Sequence, residues 1–150
     1  MYHAFVRHKA RGHFANLTAG EWQKMTRDVA DGVHHTFPGS HALGGERHSR
    51  AATERWFERL YRLYPELEFR VHRVVSRGWP WDTEIAVEWS DHGICADGEP
   101  YRNAGTHIIR LRWGKAVYIH AYLDNEELAQ SLRRMAAAGI EEADAVPITD

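Results

Sequence analysis

Cysteine is almost absent from this 150-residue sequence, and the single thiol, Cys95, has no partner for an internal disulfide. Long apolar runs are also missing: nothing approaches the ~18 consecutive apolar residues of a membrane span. The opening MYHAFVRHKARGHF is studded with charge where a secretory signal would carry an apolar core. Together with the lone thiol, this sets the expectation of a cytoplasmic protein with no membrane partner. Neither sign of charge dominates. Nineteen Lys and Arg against 21 Asp and Glu give a net charge of -2, so no basic field invites nucleic acid. Eleven histidines are present, yet H-x-H and H-E-x-x-H are not, and no helix pairs histidines at i and i+4. His34, His41 and His48 could converge through a glycine-rich loop, but their spacing does not require it. No glycine loop of the phosphate-binding kind leads into a helix. The expectation is no metal and no cofactor.

What is present is ordinary globular composition, 43% hydrophobic and 27% charged, with an unusual six tryptophans. That many indoles call for a deep aromatic interior or interface. The organising stretch is Tyr101 to Asp124, which reads as two strands folded back at Trp113-Gly114-Lys115. Alternation puts Tyr101, Asn103, Gly105, His107, Ile109, Leu111 and Trp113 on one face of the first strand. That face is apolar near the turn and polar beyond it, as a pocket wall would be. The second strand sets Val117, Ile119, Ala121 and Leu123 against Tyr118, His120 and Tyr122.

Upstream, residues 2–17 have helical periodicity with His13 on the apolar stripe. A short helix follows with Trp22, Met25 and Val29 on one face, then a strand over Val33–Phe37 and a glycine-rich loop over Pro38–His48. Ser49 caps a third helix ended by Pro65. Strands are expected over Leu67–Val75, with Arg73 out of phase, and over Glu84–Asp91. After the hairpin, Asp124 caps a last helix whose acidic first turn and basic last turn match the helix dipole. One domain over residues 1–140 and a frayed tail over 141–150 complete the chain.

Helices, then antiparallel strands, then a capping helix make an α+β protein, a curved sheet closed on one face by helices. The outer face is read as carrying Ile85, Val87, Trp89, Ile108, Tyr118 and Tyr122. An apolar second face needs a cover, and a second copy of the chain supplies it as a homodimer.

Three segments carry a family resemblance across nearly the whole chain, namely FANLTAGEW, VHHTFPGSHALGGERHSRAATERWFERL and GKAVYIHAYLDNEEL. The chain resembles the SnoaL-like members of the nuclear transport factor two-like superfamily, which includes ketosteroid isomerase and limonene epoxide hydrolase. The resemblance implies a cone-shaped barrel of curved, mainly antiparallel sheet, usually dimeric, around an apolar pocket. Function does not follow from this fold, which hosts isomerases, cyclases, hydrolases and plain binders. By position, the isomerase's oxyanion-hole tyrosine matches His13 and its protonated aspartate falls near His107. Its general-base aspartate matches Phe37, which cannot take a proton. The hydrolase's Asp-Arg-Asp set falls at Ser90, Glu88 and Ala121, and its water-holding tyrosine and asparagine at His34 and Thr36. Neither mechanism is retained intact.

The resulting expectation is a pocket lined by His13, His34, Thr36, Trp56, Tyr64, Glu88, Ser90, Asn103 and His107. Glu88 is the expected general base, because burial beside histidines raises a carboxylate's basicity. His107 and His13 would donate to a developing oxyanion, and Asn103 would orient the ligand. Trp56, Phe57, Tyr64, Trp79 and Trp81 are read as core or pocket wall, and His35, His72 and His120 as outward. The function expected is acid–base chemistry on a small apolar carbonyl-bearing or polyketide-like molecule, as an isomerase, cyclase or hydrolase. The alternative is a non-catalytic protein that binds such a ligand in the same pocket.

Overall fold

A computed structural model describes residues 1–150. Six strands form one sheet: β1 (Val29–Phe37), β2 (Gly45–Arg47), β3 (Glu68–Trp79), β4 (Asp82–Ile94), β5 (Pro100–Arg112) and β6 (Lys115–Leu123). Four helices accompany them: α1 (Tyr2–Thr18), α2 (Trp22–Thr26), α3 (Arg50–Leu63) and α4 (Asn125–Ala137). The sheet order is β2-β1-β6-β5-β4-β3, with only the β1–β6 pair parallel. The sheet is open at both edges, and the helices close its concave side. This is the expected α+β architecture.

Local chemistry accounts for most element ends. The Ser49 hydroxyl accepts the Ala52 N–H at 3.1 Å, and Asp124 Oδ1 accepts the N–H groups of Glu126 and Glu127. These caps satisfy donors that a helix leaves free. The β5–β6 hairpin turns on two residues, Trp113 (φ 50°) and Gly114 (φ 79°). Two successive positive φ values match the right-handed twist of the flanking strands. Arg73, out of phase in the sequence, follows a bulge in β3, where the β3–β4 register shifts between Val71 and Arg73.

Three segments differ from expectation. β1 begins at Val29, which reads as helical in the sequence but is a fully paired, buried strand residue. β2 lies inside the expected glycine loop. The C-terminal segment is strapped down rather than frayed. Glu142 pairs with Arg59 and Arg62, the Ile148 carbonyl accepts from Arg47, and Asp150 accepts from the His48 N–H and the Ser49 hydroxyl. The strap lies along α3 and the β2 edge. Its partners lie 80 to 102 residues upstream, so no local pattern announces it.

The phase of each strand decides what enters the interior. On β5, Tyr101, His107, Ile109 and Leu111 face inward as read. On β4 the inward residues are Ile85, Val87, Trp89 and Asp91, the phase opposite to the one expected to line the pocket. On β1 they are Val33, His35 and Phe37, again the opposite phase. A one-residue change of phase moves every side chain of a strand to the other face.

Candidate active site

Between the concave sheet and helices α1, α3 and α4 lies a cavity of about 410 Å³, a volume suited to a small organic ligand. Of its 33 lining residues 25 are hydrophobic, so the ligand that fits is mostly apolar. Phe14, Phe69 and Trp89 pack edge to face along one wall. The most exposed lining residues, Trp113 and Gly114 at a hairpin tip and Phe5 on α1, mark the mouth. The Trp113 N–H donates to the Pro80 carbonyl at 2.9 Å and ties this tip to that of the β3–β4 hairpin. Trp79 and Trp81, expected in the core or wall, are 65% and 53% exposed outside this mouth, stacked on each other at 5.8 Å.

Of the nine expected pocket residues, the structure brings four to the cavity: His13, Trp56, Tyr64 and His107. The other five lie elsewhere. Glu88 is exposed on the convex face and pairs with Arg73 at 3.0 Å. Ser90, on the same phase, bonds His72 at 2.8 Å. His34 and Thr36 also face outward, with His34 donating to Glu46 at 2.8 Å. Asn103 is buried but structural. Its Nδ2 donates to the Tyr101 hydroxyl and to the Asp124 carbonyl, and its Oδ1 accepts the Asp124 N–H, fastening β5 to the end of β6. The shared cause for Glu88, Ser90, His34 and Thr36 is strand phase. An apolar cavity takes the apolar phase of each strand.

Polar groups within the cavity form three stations. At the inner end stand Asp91, Tyr101 and Tyr64. Burial pushes the Asp91 carboxyl up to about 7, only partly offset by the Asn103 backbone, and its Oδ1 has no hydrogen-bond partner. The Ser131 hydroxyl donates to the Leu128 carbonyl, so the Tyr64 hydroxyl spends its proton on Ser131 Oγ at 2.6 Å. Tyr101 differs. It accepts from Asn103 at 2.8 Å, and its own proton has no acceptor in the protein. The inner end therefore holds one basic carboxyl and one free phenolic donor.

The middle station is a pair of histidines. Trp89 Nε1–H donates to His107 Nδ1 at 2.7 Å, and Arg47 Nη1–H donates to His35 Nδ1 at 2.9 Å. An imidazole that accepts at Nδ1 carries its proton on Nε2. Burial lowers His107 to about 4, and burial followed by the Arg47 charge holds His35 well below its ordinary range. Both rings are neutral Nε2–H donors at physiological pH. The Arg47 that fixes His35 is fully buried, with Nε on the Ile148 carbonyl and Nη2 on the Gly44 carbonyl. His35, read as outward from sequence, is thus a cavity residue.

The third station is near the mouth. His13 Nε2 lies 3.3 Å from Asp28 Oδ2, which also pairs with Lys9 at 2.9 Å. Burial lowers the His13 pKa against the opposing pull of Asp28, and Nδ1 is buried without a partner.

Asp91 and His35 are the residues that sequence reasoning missed, while Tyr101 was placed on the inward face without a role. Asp91 shares the parity of Ile85, Val87 and Trp89, and His35 that of Val33 and Phe37. An ionisable residue continuing an apolar phase was the available signal.

Residues 10–119 match the SnoaL-like domain family. No curated protein matches at a significant level. Among solved structures, an NTF2-like protein of unknown function from Burkholderia pseudomallei superposes with a TM-score of 0.73 at 16% identity, covering 83% of this chain and 94% of that one. PrhC from Penicillium brasilianum gives 0.75 at 15% identity, with 90% and 91% covered. A Jannaschia sp. protein named by assignment as a SnoaL-like polyketide cyclase gives 0.67 at 12% identity, with 86% and 92% covered. These identities establish likeness of fold alone, whereas the family match spans most of the chain. The chain belongs to the SnoaL-like domain family.

Proposed function

We propose that the protein removes a proton from carbon next to a carbonyl of a small, mostly apolar ligand, with Asp91 as general base and Tyr101 as donor to the carbonyl oxygen. The observation that carries this reading is the buried Asp91 carboxyl, raised to about 7 and with one oxygen free of any partner, in an apolar cavity that also holds a phenol with an uncommitted proton. A base whose pKa sits near the working pH combines availability with driving force. Tyr101, its hydroxyl oriented by Asn103, stabilises the enolate as charge moves onto oxygen. The proton then returns to another carbon or oxygen of the same ligand, so the step balances without a further reactant.

The middle station supports an extended ligand. In the β4–β5 register Asp91 opposes Asn103 and Val87 opposes His107. Four residues along a strand separate these rows by about 13 Å. His107 and His35 therefore hold a second polar group of the ligand while Asp91 works at the inner end. Trp56 and Tyr64 are wall, and His13 with Asp28 receives the ligand at the mouth. A polyketide-like chain with spaced carbonyls has this form, and the cyclase named for the Jannaschia protein is consistent with it.

The test is deuterium incorporation from D2O into 2-tetralone, an apolar ketone with acidic α-hydrogens. Wild type and Glu88→Gln should accelerate exchange alike, because Glu88 lies outside the cavity. If 2-tetralone binds without faster exchange, the protein is a non-catalytic binder, the reading that an almost wholly apolar lining would favour.

We further propose a homodimer through the convex sheet face, where Ile108, Tyr118 and Tyr122 stand outward and Tyr122 is 55% exposed. Ile85, Val87 and Trp89 do not contribute, because they are buried on the concave side. Sedimentation equilibrium should show a dimer at micromolar concentration. Replacing Tyr118 and Tyr122 together by alanine should weaken it by about 2–4 kcal/mol, the range of central aromatic contacts. A monomeric wild type would rule the dimer out.

A further inference from the structure

The convex face carries a cluster that the cavity chemistry leaves unused. β1 and β2 pair antiparallel with His35 opposite Arg47 and Thr36 opposite Glu46. One residue further, the same register sets His34 directly opposite His48, and Glu46 lies diagonally across from His34. Directly opposed side chains have Cβ atoms only about 5 Å apart. The two imidazoles accordingly stack at 4.6 Å between centroids, and His34 Nε2 lies 2.8 Å from Glu46 Oε2. One nitrogen from each histidine and one oxygen of Glu46 all lie within 4.8 Å of one another.

We propose that His34, Glu46 and His48 bind a divalent transition-metal ion of the zinc class at the edge of the sheet. Zinc takes imidazole nitrogen and carboxylate oxygen at about 2.0–2.2 Å and accepts three protein ligands with water in the fourth place. Three ligand atoms this close converge on such an ion through side-chain rotation alone. The donor set also sets selectivity. Two imidazoles favour zinc, nickel or cobalt over magnesium, which seeks oxygen ligands.

A second carboxylate strengthens the assignment. Asp150 Oδ2 lies 3.6 Å from His48 Nδ1 and is held there by the His48 backbone N–H at 2.6 Å, while Oδ1 accepts from the Ser49 hydroxyl at 2.7 Å. A carboxylate behind one ring nitrogen orients a metal-bound histidine and leaves the other nitrogen for the ion. The ion would then link β1, β2 and, through Asp150, the end of the C-terminal strap. The proton that His34 donates to Glu46 leaves as the metal binds.

The site is independent of the cavity chemistry, and so is its test. Tag-free protein, stripped with chelator and dialysed, is titrated with zinc chloride at pH 7.5 by calorimetry. The expected result is one zinc per chain with micromolar affinity. His34→Ala and His48→Ala should each weaken binding by at least about 10- to 100-fold, the range already seen when only a supporting group is lost. Asp150→Asn should weaken it by about tenfold on the same scale. All the altered side chains are at the surface, and thermal melts of the metal-free variants check that they fold. No zinc uptake by wild type overturns the proposal, as does undiminished uptake by the His34→Ala/His48→Ala variant. Equal competition by magnesium also overturns it.

Discussion

Asp91→Asn should make the protein more stable above neutral pH and at the same time remove its capacity for proton transfer. The stability effect follows from the sign of the shift. The Asp91 carboxyl moves from about 3.8 in the unfolded chain to about 7 in the folded one, because burial disfavours its charged form. The folded state therefore binds the proton more tightly. This stabilisation is complete below pH 4, declines as pH rises from 4 to 7, and is gone above the folded pKa. About three pH units at about 1.4 kcal/mol each give a decline on the order of 4 kcal/mol. Asparagine has nearly the same shape and no charge to desolvate, so its stability profile should lack that decline. Urea unfolding at pH 5 and pH 8 checks this: the variant should gain on wild type at pH 8 far more than at pH 5. Ketone exchange by the variant should fall by about 10²- to 10⁴-fold, the usual worth of a positioned general base. Gaining stability while losing turnover is the signature of a residue kept for chemistry at the expense of folding.

Arg47→Met should be strongly destabilising. Arg47 is completely buried and has no carboxylate partner, so its charge rests on the Ile148 and Gly44 carbonyls, His35 Nδ1 and the face of Trp56 at 5.9 Å. Burial lowers its pKa to about 10, which leaves it cationic at neutral pH. Methionine fills similar space but leaves three acceptors unpaired, two of them fully buried, at about 1–3 kcal/mol each. A loss of about 3–9 kcal/mol is expected, enough to lower the melting temperature by about 10 °C or more. The strap over residues 145–150 should open with it, since the Ile148 anchor is lost. Calorimetry measures the first effect, and faster proteolysis of the C-terminus measures the second. His35 should also lose its fixed tautomer. Its histidine NMR signals then report a ring free to protonate at higher pH, which a purely structural arginine would not affect.

The legible parts of this protein are those whose signals are local. Ser49 and Asp124 announce their helices by capping chemistry, Trp113-Gly114 marks its hairpin, and β5 shows its inward face because Ile109 and Leu111 share a phase with His107. The α+β architecture and the family resemblance follow from such features. The candidate site was harder to read because two strands offered two plausible faces. On β4, seeking polar groups for catalysis favours Glu88 and Ser90, whereas burial favours Ile85, Val87 and Trp89. Burial prevails because an apolar cavity cannot repay the desolvation of many polar side chains. The polar group that does enter, Asp91, lies one step beyond the apolar run. The same inversion on β1 exchanged His34 for His35. Arg47 had no sequence signal at all, since its partners include a carbonyl 101 residues away. The exposed Trp79 and Trp81 flank a tight turn, where indole content says nothing about burial.

The central claim, that the cavity holds a carboxyl basic at neutral pH, is tested most directly by a titration of Asp91 itself. Carbon-13 NMR of aspartate-labelled protein, with Asp91→Asn to assign the signal, follows its carboxyl carbon from pH 3 to pH 9. The structure predicts an inflection near 7, well separated from the other aspartates. An inflection near 4 would contradict it, and Asp91 would then be an ordinary carboxylate with no special fitness as a base.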